Sequence, residues 1–338
     1  MMLTSNPIRL AILGTGLFAR QAHLPAIQSL GDAFEIVAVY NHRTSTTADL
    51  VALLPHPVEV YDDLAALLAR DDIEAVDLVQ PIEVMPDVIE QALTAGKHVI
   101  SEKPAAPDLA TGRRLLSLYA QHRHLIWMVA ENWRYEPAFH QAAEIVQSGV
   151  LGQPQVCDWA IYANMQPTSN QYYHTAWRRT GTFPGGFLLD GGVHNVAALR
   201  QILGEIQSVN ALTAQFRPDL PPTDTLSAAL QFDSGAVGTW TQTFASSSPW
   251  PTRLRILCER GAISVRADVL EVVYPDRTEE FAFDSQGVKN ELAAFAAAIR
   301  DGAPHANSPE QAMQDVAVIE AILLSSTTGQ RITVERFV

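Results

Sequence analysis

Only two cysteines occur in the 338 residues, Cys157 and Cys258, far apart and with no motif around either. Their scarcity excludes a disulfide framework or a cysteine-based zinc site and fits a reducing compartment. Positive charge is also short. Lys and Arg number 23 against 37 Asp and Glu, a formal net charge of −14, so the basic footprint of a nucleic-acid or anionic-membrane binder is missing. No apolar run approaches the roughly 18 residues of a membrane span. The opening "MMLTSNPIRLAILGTG" lacks the basic, apolar and cleavage regions of a secretory leader. These absences lead to the expectation of a cytoplasmic protein with no membrane or nucleic-acid partner and no bound metal. Low-complexity tracts and internal repeats are lacking too. What remains is a globular composition, 47% hydrophobic and 18% charged, with length for about two domains.

The first 130 residues alternate short apolar runs with helical patterns. "IRLAIL" (8–13), "FEIVAVY" (34–40), "AVDLVQ" (75–80), "HVIS" (98–101) and "LIWMVA" (125–130) read as strands. The segments between them carry apolar residues at helical spacing, the pattern of a doubly wound parallel sheet. After residue 130 the rhythm changes. Residues 205–283 are strand-rich, with hairpin turns at Asp233-Ser234-Gly235 and Glu259-Arg260-Gly261. Helical patterns return at 288–301 and 309–326, and "RITVERFV" reads as a terminal strand. The expected architecture is α/β plus α+β: a Rossmann domain over 1–130, then an α+β domain over 131–338 with an open, largely antiparallel sheet.

"ILGTGLFA" places Gly14, Gly16 and Ala19 as G-x-G-x-x-A between a strand and a helix, the context in which this pattern binds a dinucleotide pyrophosphate. Gly14, Thr15, Gly16, Leu17 and Phe18 are therefore candidate cofactor residues. The next strand ends in "YNHRTS", with no Asp or Glu to hold ribose hydroxyls. Asn41 and Arg43 stand there instead. Arg43 fits a 2′-phosphate, or else lies on a solvated loop; the missing carboxylate favours NADP over NAD. Glu102 and Lys103, followed by Pro104, sit just past a strand's carboxyl end, the ligand-binding edge of such sheets, where a lysine suits proton handling or substrate polarisation.

"GGFLLDGGVH" (185–194) sets Asp190 and His194 four apart, on one face of a helical turn, with two glycines between. The pattern predicts a helix starting near Gly191, its first turn pressed against something bulky. An Asp–His pair that merely caps a helix is the alternative.

Taken in this order, the G-x-G-x-x-A loop, "SEKP" and "GGFLLDGGVH" resemble the Gfo/Idh/MocA family (glucose–fructose oxidoreductase and inositol dehydrogenase) over essentially the whole chain. The resemblance implies a Rossmann domain, an α+β domain whose sheet forms a homodimer or homotetramer interface, and NAD(P)-linked hydride transfer on sugars, cyclitols or related alcohols. It implies Lys103, Asp190 and His194 as catalytic residues; of these His194 is the expected proton acceptor, imidazole being the side chain that ordinarily titrates closest to neutral pH, and Lys103 is the alternative. It makes substrate over the nicotinamide the bulky object that the glycines admit. "ENWRYEP" supplies Asn132, Arg134 and Tyr135 near substrate, although Arg134 equally fits an interdomain salt bridge. "NQYYHTAWRR" (170–179), read as a loop, supplies His174 and Trp177, whose types also suit an interface. His23 and His98 read as structural. Where many members carry P-x-x-x-H after the third apolar strand, "AVDLVQ", this chain has Pro81, Ile82, Glu83, Val84 and Met85, which leaves Pro81 as the cofactor contact there. The expected function is a dehydrogenase or reductase acting on CH–OH groups of a polyhydroxylated small molecule such as a sugar, cyclitol or dihydrodiol. The alternative is a non-catalytic nucleotide-binding sensor of the same fold, which would not need all three catalytic residues.

Overall fold

Strands β1 (Ile8–Leu13), β2 (Phe34–Tyr40), β3 (Glu59–Tyr61), β4 (Ala75–Leu78), β5 (His98–Glu102) and β6 (Trp127–Ala130) form one parallel sheet in the order β3-β2-β1-β4-β5-β6. The coordinates are a computed structural model describing residues 6–42, 47–247, 252–266 and 268–338. Apart from β3, the strands are near-continuous apolar runs because helices cover both faces of such a sheet. The connecting helices are α1 (Leu24–Ser29), entered through a π-turn at Ala19–His23, then α2 (Thr47–Val51), α3 (Leu64–Leu68), α4 (Met85–Thr94) and α5 (Leu109–Tyr119). Side-chain caps start two of them: at α3 Asp63 accepts from the amides of Ala65 and Ala66, and at α5 Asp108 accepts from Thr111 N at 2.7 Å. Edge strand β3 escaped the sequence reading because its three residues are exposed or half-buried and show no apolar run.

Beyond α6 (Pro137–Gln147) the chain builds a second sheet. Its members are β7 (Pro154–Tyr162), then, after α7 (Phe187–Leu203), β8 (Ile206–Ala214), β9 (Thr225–Phe232), β10 (Val237–Thr243), β11 (Arg253–Cys258), β12 (Gly261–Arg266), β13 (Val269–Val273) and β14 (Thr278–Ala282). Helices α8 (Gly287–Asp301) and α9 (Pro309–Thr328) precede β15 (Ile332–Thr333), the only part of "RITVERFV" that pairs. The order is β14-β13-β12-β11-β7-β10-β9-β8-β15, antiparallel except where β7 runs beside β10. Both expected hairpin turns fall between paired strands. Alternation along β9 to β11 buries one face, while Val156, Val237 and Leu257, neighbours in register, are about half exposed on the other. Among the described residues no helix is long and apolar enough to cross a membrane.

The single cut expected at residue 130 is replaced by a double crossing. One compact unit comprises 1–132 with 287–312, the other 133–286 with 313–338. The cause is α8, whose apolar stripe joins the first core. Leu292 and Phe295 are fully buried among Ile8, Leu24, Ile27 and Phe34, with the Phe34 and Phe295 rings stacked at 6.4 Å. Helical periodicity declares that α8 has a buried face but names no partner for it. Phe295→Ala should therefore cost the first unit about 3–5 kcal/mol. In hydrogen exchange, β1 and β2 amides should lose protection before those of β9 and β10.

Candidate active site

In the first unit the carboxyl ends of β1, β4 and β5 lie side by side, with Leu13 opposite Leu78 and Leu78 opposite Ser101. The glycine loop leaves this edge. Gly14 has φ +111°, and a Cβ there would stand 2.2 Å from the carbonyl oxygen of Val79, so only glycine makes the turn. Gly16 has nothing within 4 Å of where its Cβ would be, an open cradle of the kind a close-lying pyrophosphate needs. Leu17 and Phe18 follow, and the Phe18 ring meets His23 edge-on at 5.3 Å. Asn41 is buried after β2 and donates its side-chain N–H to Thr15 Oγ1 at 2.7 Å. Pro81 begins the turn after β4, and its carbonyl accepts from Val84 N and Met85 N. Lys103 follows β5 directly, half-buried, with a cis peptide to Pro104. Gly14, Pro81 and Lys103 thus share one sheet edge, as expected. Arg43 lies outside the described residues.

Glu102, expected to face cofactor, is bound from within. Its Oε1 lies 2.9 Å from His23 Nε2, and its Oε2 accepts from the Lys103 backbone N–H at 3.2 Å. His23 Nδ1 sits 2.9 and 3.0 Å from the two oxygens of Asp77 on β4. Burial opposes charge on this ring, but the two carboxylates outweigh it and hold its pKa well above the ordinary 6.5. Glu291 on α8 is fully buried nearby. Asn307 donates its side-chain N–H to Glu291 Oε2 at 3.3 Å and to the Glu131 carbonyl at 3.1 Å. Burial raises the pKa of Glu291 well above 4.5; the His23 charge opposes the rise, and Glu102, Glu131 and Asp77 add to it. His98, by contrast, accepts from Ile126 N at 2.9 Å, the structural role expected of it. The sequence carried two signals of this cluster: Asp77 interrupts an apolar strand, and Glu291 lies four residues before Phe295 on the buried stripe of α8.

In the second unit α7 begins at Phe187, a full turn before the expected Gly191, so Asp190 lies in its first turn. The glycine pair makes room for protein rather than ligand. A Cβ on Gly191 would stand 2.9 Å from the Phe244 ring, and one on Gly192 would stand 3.0 Å from Ile319 and 3.2 Å from Trp240. The bulky object is the unit's own core. Asp190, 7% exposed, accepts from Arg178 Nε at 2.7 Å. Arg178 also donates to Thr175 Oγ1 at 2.9 Å and lies over the Trp177 ring at 4.2 Å and the Tyr172 ring at 5.2 Å. His194 stacks on Trp133, centroids 5.2 Å apart and planes 16° apart. Trp133 also lines a cavity of about 230 Å³ with Phe139, Trp159 and Phe283.

The other substrate candidates scatter. "NQYYHTAWRR" forms two 3-10 turns, Gln171–His174 and Ala176–Arg179. His174 is exposed and bonds the Pro167 carbonyl, whereas Trp177 packs on Phe183 at 5.9 Å. Asn132 and Tyr135 bound a 3-10 turn after β6. Of the two readings of Arg134 the ion pair is present, inside the second unit. It donates to Asp315 at 2.5 Å, and Arg200 takes the other oxygen of that carboxylate at 2.5 Å. Among the described residues no group of His, Cys, Asp and Glu has the makings of a metal site.

Residues 139–264 match the Gfo/Idh/MocA C-terminal domain, and residues 8–130 match the NAD-binding Rossmann fold of the same oxidoreductase family. The chain belongs to the Gfo/Idh/MocA family. The general activity of this family is NAD(P)-dependent oxidoreduction of small polyhydroxylated molecules. Dehydrogenase FPY6 of Fusarium mangiferae is 34% identical over 351 residues, 98% of this chain and 99% of the relative. A crystal structure of an oxidoreductase from Thermotoga maritima is similar with a TM-score of 0.90 and 36% identity, covering 97% of this chain and 98% of that one. The WlbA dehydrogenase of Bordetella pertussis, solved with NADH and UDP-GlcNAcA, has a TM-score of 0.85 at 23% identity, covering 97% and 99%; that likeness is one of fold.

The buried cluster of this Gfo/Idh/MocA chain makes stability depend on pH with a definite sign. The folded pKa of Glu291 is raised, so its contribution is present below 4.5 and lost as pH rises through the folded value. The contribution of His23 is present below 6.5 and is likewise lost as pH rises through its own folded value. The first unit should therefore weaken toward alkaline pH. Glu291→Gln, which keeps the shape and removes the ionisation, should make the fall in urea midpoint as pH rises above 4.5 shallower. An equal or steeper fall would contradict the assignment.

Proposed function

We propose that the protein is an NADP-preferring dehydrogenase or reductase of CH–OH groups on a sugar, cyclitol or dihydrodiol. The observation that carries the reading is the position of Lys103, directly after β5 on the sheet edge that the glycine loop leaves. The strained turn at Gly14 and the open cradle at Gly16 fit a dinucleotide pyrophosphate. When bound, the nicotinamide supplies the hydride acceptor or donor. His194 takes the hydroxyl proton, because imidazole ordinarily titrates nearest neutral pH. The ammonium of Lys103 stabilises the developing alkoxide. Asp190, oriented by the Arg178 guanidinium, hydrogen-bonds a neighbouring substrate hydroxyl. Support for a polyhydroxylated substrate comes from the family; WlbA, of like fold, holds UDP-GlcNAcA.

Preference for NADP rests on the segment after β2, which carries Asn41 and Arg43 and no carboxylate through Ser45. We assign the half-exposed row Val156, Val237 and Leu257 to a homodimer or homotetramer contact, since a sheet face of this kind calls for cover.

A panel of sugars, cyclitols and dihydrodiols, assayed with each nicotinamide cofactor in both directions, tests the reading. On the substrate so found, His194→Asn should bind cofactor normally and lose about 10²–10⁴ in turnover, the range for a general base. Near-normal turnover would move the proton to Lys103. Cofactor binding with no turnover on any member of the panel would favour the sensor. Arg43→Ala should weaken NADPH selectively; equal loss of NADH, or none, would remove the case for NADP.

A further inference from the structure

The buried charge at the first sheet edge has no part in the chemistry assigned above. Both nitrogens of the His23 ring meet carboxylates, Asp77 at 2.9 and 3.0 Å and Glu102 at 2.9 Å. A neutral imidazole carries one N–H and satisfies one such partner; the doubly protonated ring satisfies both. With His23 and Asp77 fully buried, no water replaces a missing donor, so with both carboxyl groups ionised the geometry calls for an imidazolium. Raised affinity of the ring for its second proton agrees.

The clamp joins three elements. His23 ends the π-turn that follows the glycine loop, Asp77 lies inside β4, and Glu102 closes β5. The second oxygen of Glu102 accepts from the Lys103 backbone N–H at 3.2 Å. From α8, Glu291 faces the cluster and interacts with the charges of His23, Glu102, Glu131 and Asp77, while the Phe18 ring packs edge-on to the imidazole. A continuous path of charge-assisted hydrogen bonds therefore runs from the helix after the glycine loop to the peptide that carries the lysine.

We propose that His23 is a positioning residue: clamped as an imidazolium between Asp77 and Glu102, it fixes the carboxylate on which the Lys103 backbone rests and ties that lysine to the helix after the glycine loop. Glu102 is the link, so neither His23 nor Glu102 acts on Lys103 independently. Because contacts of this kind are mutual, whatever seats on the loop is felt at the lysine. The kinetic part of this inference rests on the reading of Lys103 as a reacting group; the structural part does not.

The sequence offers a clean probe, since the whole chain holds three lysines, Lys97, Lys103 and Lys289. Reductive methylation of the full-length protein with ¹³C-formaldehyde labels their amines, and Lys103→Arg assigns the Lys103 signal. In His23→Gln the Lys103 signal should move while those of Lys97 and Lys289 stay. Turnover should fall by about 10-fold to 10²-fold, the scale of a misplacement near 1 Å, with cofactor affinity changed less than about threefold. Adding Glu102→Gln should produce little further loss, because both changes break one path. An unmoved Lys103 signal in folded His23→Gln, or losses that multiply, overturns the proposal. Should His23→Gln fail to fold, Asp77→Asn removes one charge from the clamp and keeps its shape; an unmoved Lys103 signal there overturns the proposal equally. If Lys103→Ala itself keeps full turnover, the functional reading fails, and the methyl-lysine signals still decide the clamp.

Discussion

A charged histidine buried between two carboxylates is the interaction on which the first sheet edge depends. Three ionisable groups taken from water would each carry a penalty of several kcal/mol if unpaired. His23, Asp77 and Glu102 avoid it only by holding one mutual geometry. That geometry fixes the helix after the glycine loop against β4 and the end of β5, so the cradle at Gly16 and the peptide of Lys103 are set by one constraint. Glu291, fully buried and held toward its neutral form, keeps the cluster from gathering a further negative charge.

The second unit meets a similar demand with different chemistry. Its α7 lies close on its own core because Gly191 and Gly192 present no side chain to Phe244, Trp240 and Ile319. This close packing sets where Asp190 and His194 stand. Each then has a partner that fixes its orientation, Arg178 for the carboxylate and the Trp133 ring for the imidazole. Arg178 is itself held by Thr175 and by two aromatic faces. The Asp315 carboxylate, shared by Arg134 and Arg200, ties α9 to α7 and to the turn after β6; removing one member of such a buried group typically costs about 3–5 kcal/mol.

Much of this was legible in the residues. The five longer parallel strands announce themselves as apolar runs because both of their faces are buried, and G-x-G-x-x-A gains meaning from its place after the first of them. What escaped depends on contacts distant in sequence. Nothing near Gly191 reveals that Phe244 will fill the space beside it, so sequence alone points to a ligand as what the glycines admit. Nothing in α8 says that its apolar stripe belongs to the first core. Likewise Arg134 offers a charge, and only Asp315, far along the chain, decides how that charge is used. Asp77 and Glu291 were readable as polar residues on apolar faces, but their shared purpose required the fold.

In the proposed function the glycine loop and Lys103 form one dinucleotide edge. Titrating NADPH into the ¹³C-methylated protein while watching its three lysine signals tests this without knowledge of the substrate. The Lys103 signal should move saturably, with those of Lys97 and Lys289 unchanged. Saturable binding of NADPH that leaves the Lys103 signal where it was would contradict it.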